Sequence, residues 1–294
     1  MRLFRKSLDL NQATVRLAAL TDLRRVSRIL REGARRYYGL TKSDIPKLLE
    51  NGLGVVIESQ DELWATALGN RPTARTTWLR GVALAEGVDV EPAVPIMLDM
   101  LHYKMAKRGI RYIYHGGDEG ADTWLYPVLV KLGYLHDTEV LVYEKRDLDI
   151  PNRGNQTILT RPAQPIDLAA IVMLDQACFE PQWTKDDTIL GPAMSQEGFF
   201  IVAELGERMV GYAYATRHFG GRLIHLVRIA VDPPWQGHAI GVRLMAEVIA
   251  YAQQNEATVI TLNTQSYNIH AQRLYRWFGF VPTGERQTIL RFDL

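Results

Sequence analysis

Gly237, Ala239 and Gly241 stand out by type and spacing within Val231-Asp-Pro-Pro-Trp-Gln-Gly-His-Ala-Ile-Gly-Val-Arg-Leu-Met245. Small residues this close together let a chain fold tightly enough for successive backbone N–H groups to converge on an anion. The chemistry that this pattern points to is phosphate binding. Two other phosphate loops are excluded: no Gly-Lys-Ser/Thr follows four spacer residues, and the order Gln-Gly-His-Ala-Ile-Gly is not Gly-x-Gly-x-x-Gly. Cys178 is the single cysteine and has no identifiable base near it, so it reads as a buried thiol among Leu174, Ala177 and Phe179. No His, Cys and carboxylate cluster has metal-ligand spacing, and no metal is expected.

Such a loop needs a strand to deliver it and a helix to leave it. Pro233 and Pro234 end the apolar run Leu223 to Val231, which reads as the strand. Val242, Met245, Ile249 and Ala252 then recur at helical spacing, so the N-terminal N–H groups and positive dipole end of that helix point at the same anion. A β-branched strand, Thr258 to Leu262, comes next, and after it Asn268-Ile-His-Ala-Gln-Arg-Leu-Tyr-Arg-Trp-Phe-Gly-Phe280.

Two motifs in this order resemble those of the GNAT (GCN5-related N-acetyltransferase) superfamily. Its pyrophosphate motif, Arg/Gln-x-x-Gly/Ala-x-Gly/Ala, is matched by Gln236, Ala239 and Gly241. Its second hallmark, Asn-x-x-Ala-x-x-Leu-Tyr-x-x-x-Gly-Phe, is matched by Asn268, Ala271, Leu274, Tyr275, Gly279 and Phe280. The resemblance covers about residues 158 to 294. It implies acetyl-CoA as acetyl donor, with coenzyme contacts from Gln236, Gly237, His238, Ala239, Ile240, Gly241, Val242 and Asn268. It further implies that the strand ending at Val231 splays from its parallel neighbour, so that Ile229, Ala230 and Val231 offer backbone hydrogen bonds to the pantetheine arm. The implied reaction moves an acetyl group to a primary amine of a small molecule, peptide or protein.

An amine attacks a thioester only as a neutral nucleophile, so a base must take a proton and the departing thiolate benefits from a donor. Tyr275, one helical turn before Gly279, is where the family commonly places that donor, and a phenol with a pKa of about 10 is protonated at neutral pH. The competing reading is a tyrosine packed in the core of an amphipathic helix. His225 lies eleven residues before Gln236, the spacing at which histone-type members carry a catalytic glutamate. A neutral imidazole would serve the same purpose, and a half-buried strand histidine with a structural hydrogen bond is the alternative. Asn263 stands where ribosomal-protein N-terminal acetyltransferases have a glutamate, and an amide cannot act as that base.

The chain also repeats itself. Arg16, Ala18, Asp22 and Leu23 match Arg161, Ala163, Asp167 and Leu168, and Leu132-Gly-Tyr134 matches Phe278-Gly-Phe280, an offset of 145 to 146 residues. The expected class is α/β (α+β): two tandem GNAT-type domains, 1–150 and 151–294, each a mixed, mostly antiparallel central sheet flanked by helices. The polar stretch Asp147 to Asn155 reads as the linker. A shift of 146 sets Val90 to Pro95 against Gln236 to Gly241, where Pro92 and Pro95 lack N–H groups and Glu91 is negative. Leu129 falls opposite Tyr275 and Asp122 opposite Asn268, so the first copy reads as degenerate for coenzyme. Arg24, Arg28, Arg31 and Arg35 share one face of the first helix, a solvated face or an anion- or partner-binding stripe. Tyr37, Tyr38 and Gly39 are read as ending that helix, with Phe179 to Trp183 at the equivalent place in the second copy, aromatic loops of the kind that line the acceptor cleft.

Composition sets the remaining bounds. The 294 residues are 47% apolar and 23% charged, with a formal charge of +1, which argues against broad nucleic-acid binding. No apolar run approaches the roughly eighteen residues of a membrane span. Met1 to Leu8 lack a secretory h-region, and a lone cysteine suits a reducing compartment, so a cytoplasmic monomer or homodimer without membrane partners is expected. Two alternatives stand beside the amine acetyltransferase. The tandem arrangement also resembles mycothiol synthase, which acetylates the cysteine amine of a thiol pseudodisaccharide, and a non-catalytic CoA-binding sensor would use the same loop. Acceptor loops vary freely on one scaffold, which leaves the acceptor open.

Overall fold

Arg16 and Arg161, equivalent in the repeat, build the same ion cluster twice. Arg16 reaches Asp22 at 2.7 and 2.9 Å and Glu58 at 2.6 and 2.8 Å. Arg161 reaches Asp167 at 2.7 and 2.9 Å and Glu204 at 3.1 and 2.5 Å. In each copy the guanidinium ties an opening strand to a helix start and to the strand paired with it, and it holds the aspartate's pKa below the usual range.

The computed structural model describes residues 8–117, 123–196 and 198–294. Asp122, set against Asn268 by the repeat, lies outside the described residues. One compact unit runs to Thr138 and takes in Gln287–Leu294; the other is Glu139–Arg286. The stretch read as a linker, 147–155, therefore lies inside the second unit. In chain order the first unit contains β1 (Thr14–Leu17), α1 (Leu23–Glu32), β2 (Arg35–Tyr38), α2 (Asp44–Glu50), β3 (Gly54–Ser59), β4 (Glu62–Gly69), β5 (Thr76–Leu84), α3 (Val90–Ala106), β6 (Tyr112–Gly116) and α4 (Leu125–Lys131). After β7 (Leu135–Lys145) come β8 (Leu159–Pro162), α5 (Leu168–Cys178), α6 (Asp187–Ser195), β9 (Gly198–Leu205), β10 (Arg208–His218), β11 (Leu223–Val231), α7 (Ile240–Gln254), β12 (Val259–Gln265), α8 (Ile269–Trp277) and β13 (Val281–Asp293).

Each unit has the mixed, mostly antiparallel sheet expected of the fold class. In the second, β8, β9, β10 and β11 pair antiparallel, β11 and β12 parallel, and β12 antiparallel with residues 140–145 of β7. The first repeats this with β1, β3, β4 and β5, a parallel β5–β6 pair, and β6 antiparallel to residues 289–293 of β13. The last strand of each sheet is thus supplied by the other copy of the repeat. Helices cover both faces of the second sheet. Leu244, Met245, Val248 and Ile249 of α7 bury one side, while Ile171 and Leu174 of α5 and Leu190 of α6 pack with Val202, Tyr212 and Ala230 on the other.

Two expectations for the first copy are corrected. Its first helix stops at Glu32, where Gly33 turns out of the helix with ψ of 153°; a Cβ there would lie 2.7 Å from the Ile29 carbonyl and 2.8 Å from that of Leu84, so this exit needs glycine. Arg35 therefore leaves the helical arginine face, and Tyr37 and Tyr38 sit in β2. The loop set against Gln236–Gly241 is also shorter: α3 has already begun at Val90, and Pro92 and Pro95 lie within it.

Candidate active site

β11 and β12 pair only from Leu223↔Val259 to Leu226↔Leu262, although β11 continues to Val231 and β12 to Gln265. A bulge in the β10–β11 ladder, where Tyr214 pairs Arg228 and Ala215 pairs Leu226, turns β11 away at that point. The gap that opens is part of a cleft of about 880 Å³, within the usual range for small-molecule sites. Asp232 N donates to Val210 at 2.9 Å, so Ala230 and Asp232 spend their backbone groups on β10. Ile229 and Val231 turn theirs toward the gap, where Cys178 Sγ and Gln236 Nε2 each donate to the Val231 carbonyl at 3.2 Å. Burial, with Asp175 and Asp232 adding to it, pushes the Cys178 thiol up to about 12, which leaves it protonated.

The loop from β11 to α7 closes the cleft. Gly237 has φ of 82° and Ala239 of 56°, the left-handed region, and Ala239 is the N-cap of α7. Among the described residues, none of the backbone N–H groups from Gly237 to Val242 has a protein acceptor, so they form an open cradle at a helix N-terminus. The stretch read as a linker fixes this loop. Asn155 N donates to Ala239 O at 3.2 Å, Asn155 Nδ2 donates to His238 O at 3.0 Å, and Arg243 Nη1 donates to Gln156 Oε1 at 3.1 Å. Gln236, Gly237, Ala239, Ile240, Gly241 and Val242 all line the cleft, and His238 stands beside it with Nδ1 3.1 Å from Gln236 O.

Tyr275 lines the cleft from the α7–α8 side, 5% exposed and packed by Tyr143 and Phe280, each with ring centroids 6.1 Å away. Its hydroxyl makes no hydrogen bond to the described residues. Burial pushes its pKa up, with Arg228 opposing, so the phenol is protonated through the physiological range. Asn268 spends its Oδ1 on the N–H of Ala271 at 3.2 Å, capping α8. Asn263 is exposed on the gap's β12 edge.

His225 does not line the cleft beside Tyr275. Ile224 and Leu226 join the α7 face, so strand alternation sends His225 to the α5–α6 face. There its Nδ1 lies 2.9 Å from Thr261 Oγ1, in the paired segment below the point where the strands part. Burial pulls its pKa down, and His218 and Lys185 act in the same direction, so the ring is neutral at physiological pH.

The structure adds residues that the sequence reading missed. Arg228, on the cleft wall, donates from Nε to the fully buried Asp175 at 2.9 Å, and its guanidinium lies 3.8 Å from the Phe179 ring centroid. The signal was a charge in each of two apolar runs, Leu223–Val231 and α5, since charges are rarely buried unless paired.

The first unit keeps the bulge but not the gap. Leu68 pairs Gly81 while Gly69 pairs Leu79, and β5 and β6 pair only from Thr76↔Tyr112 to Trp78↔Tyr114. Past that point β2 runs antiparallel along β5, from Arg35↔Leu84 to Tyr38↔Gly81, on the edge that β11 leaves open. Among the described residues no group of three or more His, Cys, Asp or Glu has the geometry to hold a metal, and no helix is long and apolar enough to cross a membrane.

The family model for the acetyltransferase (GNAT) family matches residues 168–280. The chain is 30% identical over 146 residues to N-alpha-acetyltransferase RimI of Mycobacterium tuberculosis, a match spanning 45% of this chain and 89% of that protein. Its structure is similar to that of a GCN5-related N-acetyltransferase from Sphaerobacter thermophilus, with a TM-score of 0.60 at 15% identity over 98% of this chain and 97% of that one. A tandem GNAT protein from the clavulanic acid biosynthesis pathway is similar with a TM-score of 0.57 at 11% identity, over 96% and 98% of the two chains. At these identities the solved structures speak to the fold.

Proposed function

The chain belongs to the GNAT acetyltransferase family, and from that premise we propose that its second unit transfers an acetyl group from acetyl-CoA to a primary amine while its first unit holds no coenzyme. One observation carries this reading. A gap between parallel strands, with the backbone of Ile229 and Val231 turned to its edge and the Val231 carbonyl held by Cys178 and Gln236, leads to a cradle of open N–H groups from Gly237 to Val242. The gap suits the amide-bearing pantetheine arm, and the cradle with the α7 dipole suits the diphosphate. Asn268 serves that site through its cap, which fixes the start of α8 and so the position of Tyr275.

Acetyl-CoA supplies the acyl group as a thioester. Tyr275 holds a proton on an unpartnered hydroxyl inside the cleft and donates it to the sulfur that leaves. His225, neutral and on the α5–α6 face, receives the amine's proton through water, since Thr261 already engages its Nδ1 and it does not line the cleft. The likeness to an N-alpha-acetyltransferase favours an α-amine among the possible acceptors. In the first unit β2 fills the place of the pantetheine arm and α3 replaces the phosphate loop, which supports a structural role for that half.

Release of free CoA from acetyl-CoA, followed over a panel of amines and peptide N-termini, tests the transferase reading. Acceptor-dependent release is expected. Binding of acetyl-CoA without release to any acceptor would contradict it and leave the sensor reading.

A further inference from the structure

Arg228 is a cation in an apolar strand, and its surroundings hold it still. Its side chain is 9% exposed. Nε and Nη2 donate to Asp175 at 2.9 and 3.3 Å, Nη2 also donates to the Trp183 carbonyl, and Phe179 stacks on the guanidinium plane. Asp175 is also the acceptor of the Tyr212 hydroxyl and, at 2.6 Å, of the Lys185 N–H. Its charge is therefore shared among several donors and leaves the guanidinium net positive character. Nη1 has no protein partner among the described residues, and the side chain borders the cleft. In register Arg228 stands at the bulge, just past the last paired residues Leu226 and Leu262, and Tyr275 feels its charge. Arg228 thus borders the cleft at the end of the gap where, on the transferase reading, donor and acceptor meet.

We infer that Arg228 selects the acceptor, its Nη1 donating to the carbonyl or carboxylate oxygen of an α-amino acyl compound whose amine is acetylated. The inference rests on the transferase reading and adds what the acceptor must carry. A cation beside the reacting nitrogen disfavours the ammonium form and so favours the neutral amine. An acceptor with only hydrocarbon next to its nitrogen leaves a nearly buried donor unsatisfied, and sites built around a hydrogen bond reject such analogues strongly. Asp175 and Phe179 act through Arg228 by fixing its plane, which a lysine at 228 would not reproduce.

The full chain, given acetyl-CoA, is assayed with glycinamide, with glycine and with propargylamine, which is similar in basicity to glycinamide but has no oxygen; rates are expressed per neutral amine. The wild type should prefer glycinamide or glycine over propargylamine by about tenfold or more in kcat/KM, chiefly through KM. A glycinamide preference identifies a peptide or amide carbonyl, and a glycine preference a free carboxylate. Arg228→Lys, which keeps a charge beside Asp175, should reduce the preference to within about threefold by raising KM for the oxygen-bearing acceptors. Equal kcat/KM for all three amines in the wild type, or an equal loss on all three in Arg228→Lys, would overturn the inference and leave the transferase intact. Absence of CoA release with every amine in a wider panel would overturn the transferase reading, and this inference with it.

Discussion

The hydroxyl of Tyr37 donates to the carbonyl oxygen of Gly116 at 2.8 Å, joining β2 to the end of β6 where the second unit has open space. The ring is buried and meets His115 at a centroid distance of 4.6 Å. Tyr37→Phe should destabilise the protein by about 0.5–1.5 kcal/mol and Tyr37→Ala by about 3–5 kcal/mol. Denaturant unfolding reads both. Neither variant should gain a second coenzyme site, because α3 still begins where a phosphate loop is needed; a second site in either would show that β2 alone closes this unit.

Strand exchange makes truncation sensitive to where the cut falls. A fragment of residues 151–294 lacks residues 140–145, which cover the edge of β12, and retains residues 289–293, whose partner β6 is gone. It should aggregate, as exposed strand edges do, whereas 139–286 should stay soluble and bind coenzyme. Equal solubility of the two fragments by size-exclusion chromatography would refute this.

Tyr275→Phe should cut turnover by about a hundredfold to ten-thousandfold with coenzyme affinity nearly intact. His225→Ala should fall in the same range and lose the acidic limb of the pH–rate profile. Because burial lowers the His225 pKa, the base stays deprotonated further into acid, so the wild-type limb should lie below about 6.5. Near-normal turnover with an unchanged profile in His225→Ala would make its bond to Thr261 purely structural.

Stability should weaken in mild acid. Burial holds His102 and His115 at about 4, and Arg80 adds to the effect at His115. A lowered histidine pKa means that the unfolded chain takes the proton first, so this stability is complete above about pH 6.5 and lost as pH falls toward 4. Among the described residues neither ring nitrogen of His115 has a hydrogen-bond partner, so His115→Phe should flatten the pH dependence between about 7 and 5. An unchanged slope in denaturant melts would remove His115 from this account.

Much of the second unit was legible because its motifs are local. The loop from Gln236 to Gly241 and the segment from Asn268 to Phe280 each place several side chains on one turn and one helix, and spacing alone conveys that. Strand exchange was not legible, since β7 and β13 both read as last strands and nothing in their residues names the partner. Gly33 escaped notice because its constraint comes from the distant Leu84 carbonyl. Arg35 to Tyr38 carry no clear strand alternation, which makes the segment resemble a helix end. Asp175 and Arg228 are 53 residues apart, and only the fold shows that each is the other's partner.

Calorimetric titration of the full chain with acetyl-CoA tests the central claim most directly. One site per chain is predicted, lost in Gly241→Asp, which would set a carboxylate within the open N–H cradle beside Leu274 and Val231. Two sites per chain, or unchanged affinity in Gly241→Asp, would contradict the claim that coenzyme is held only in the gap between β11 and β12.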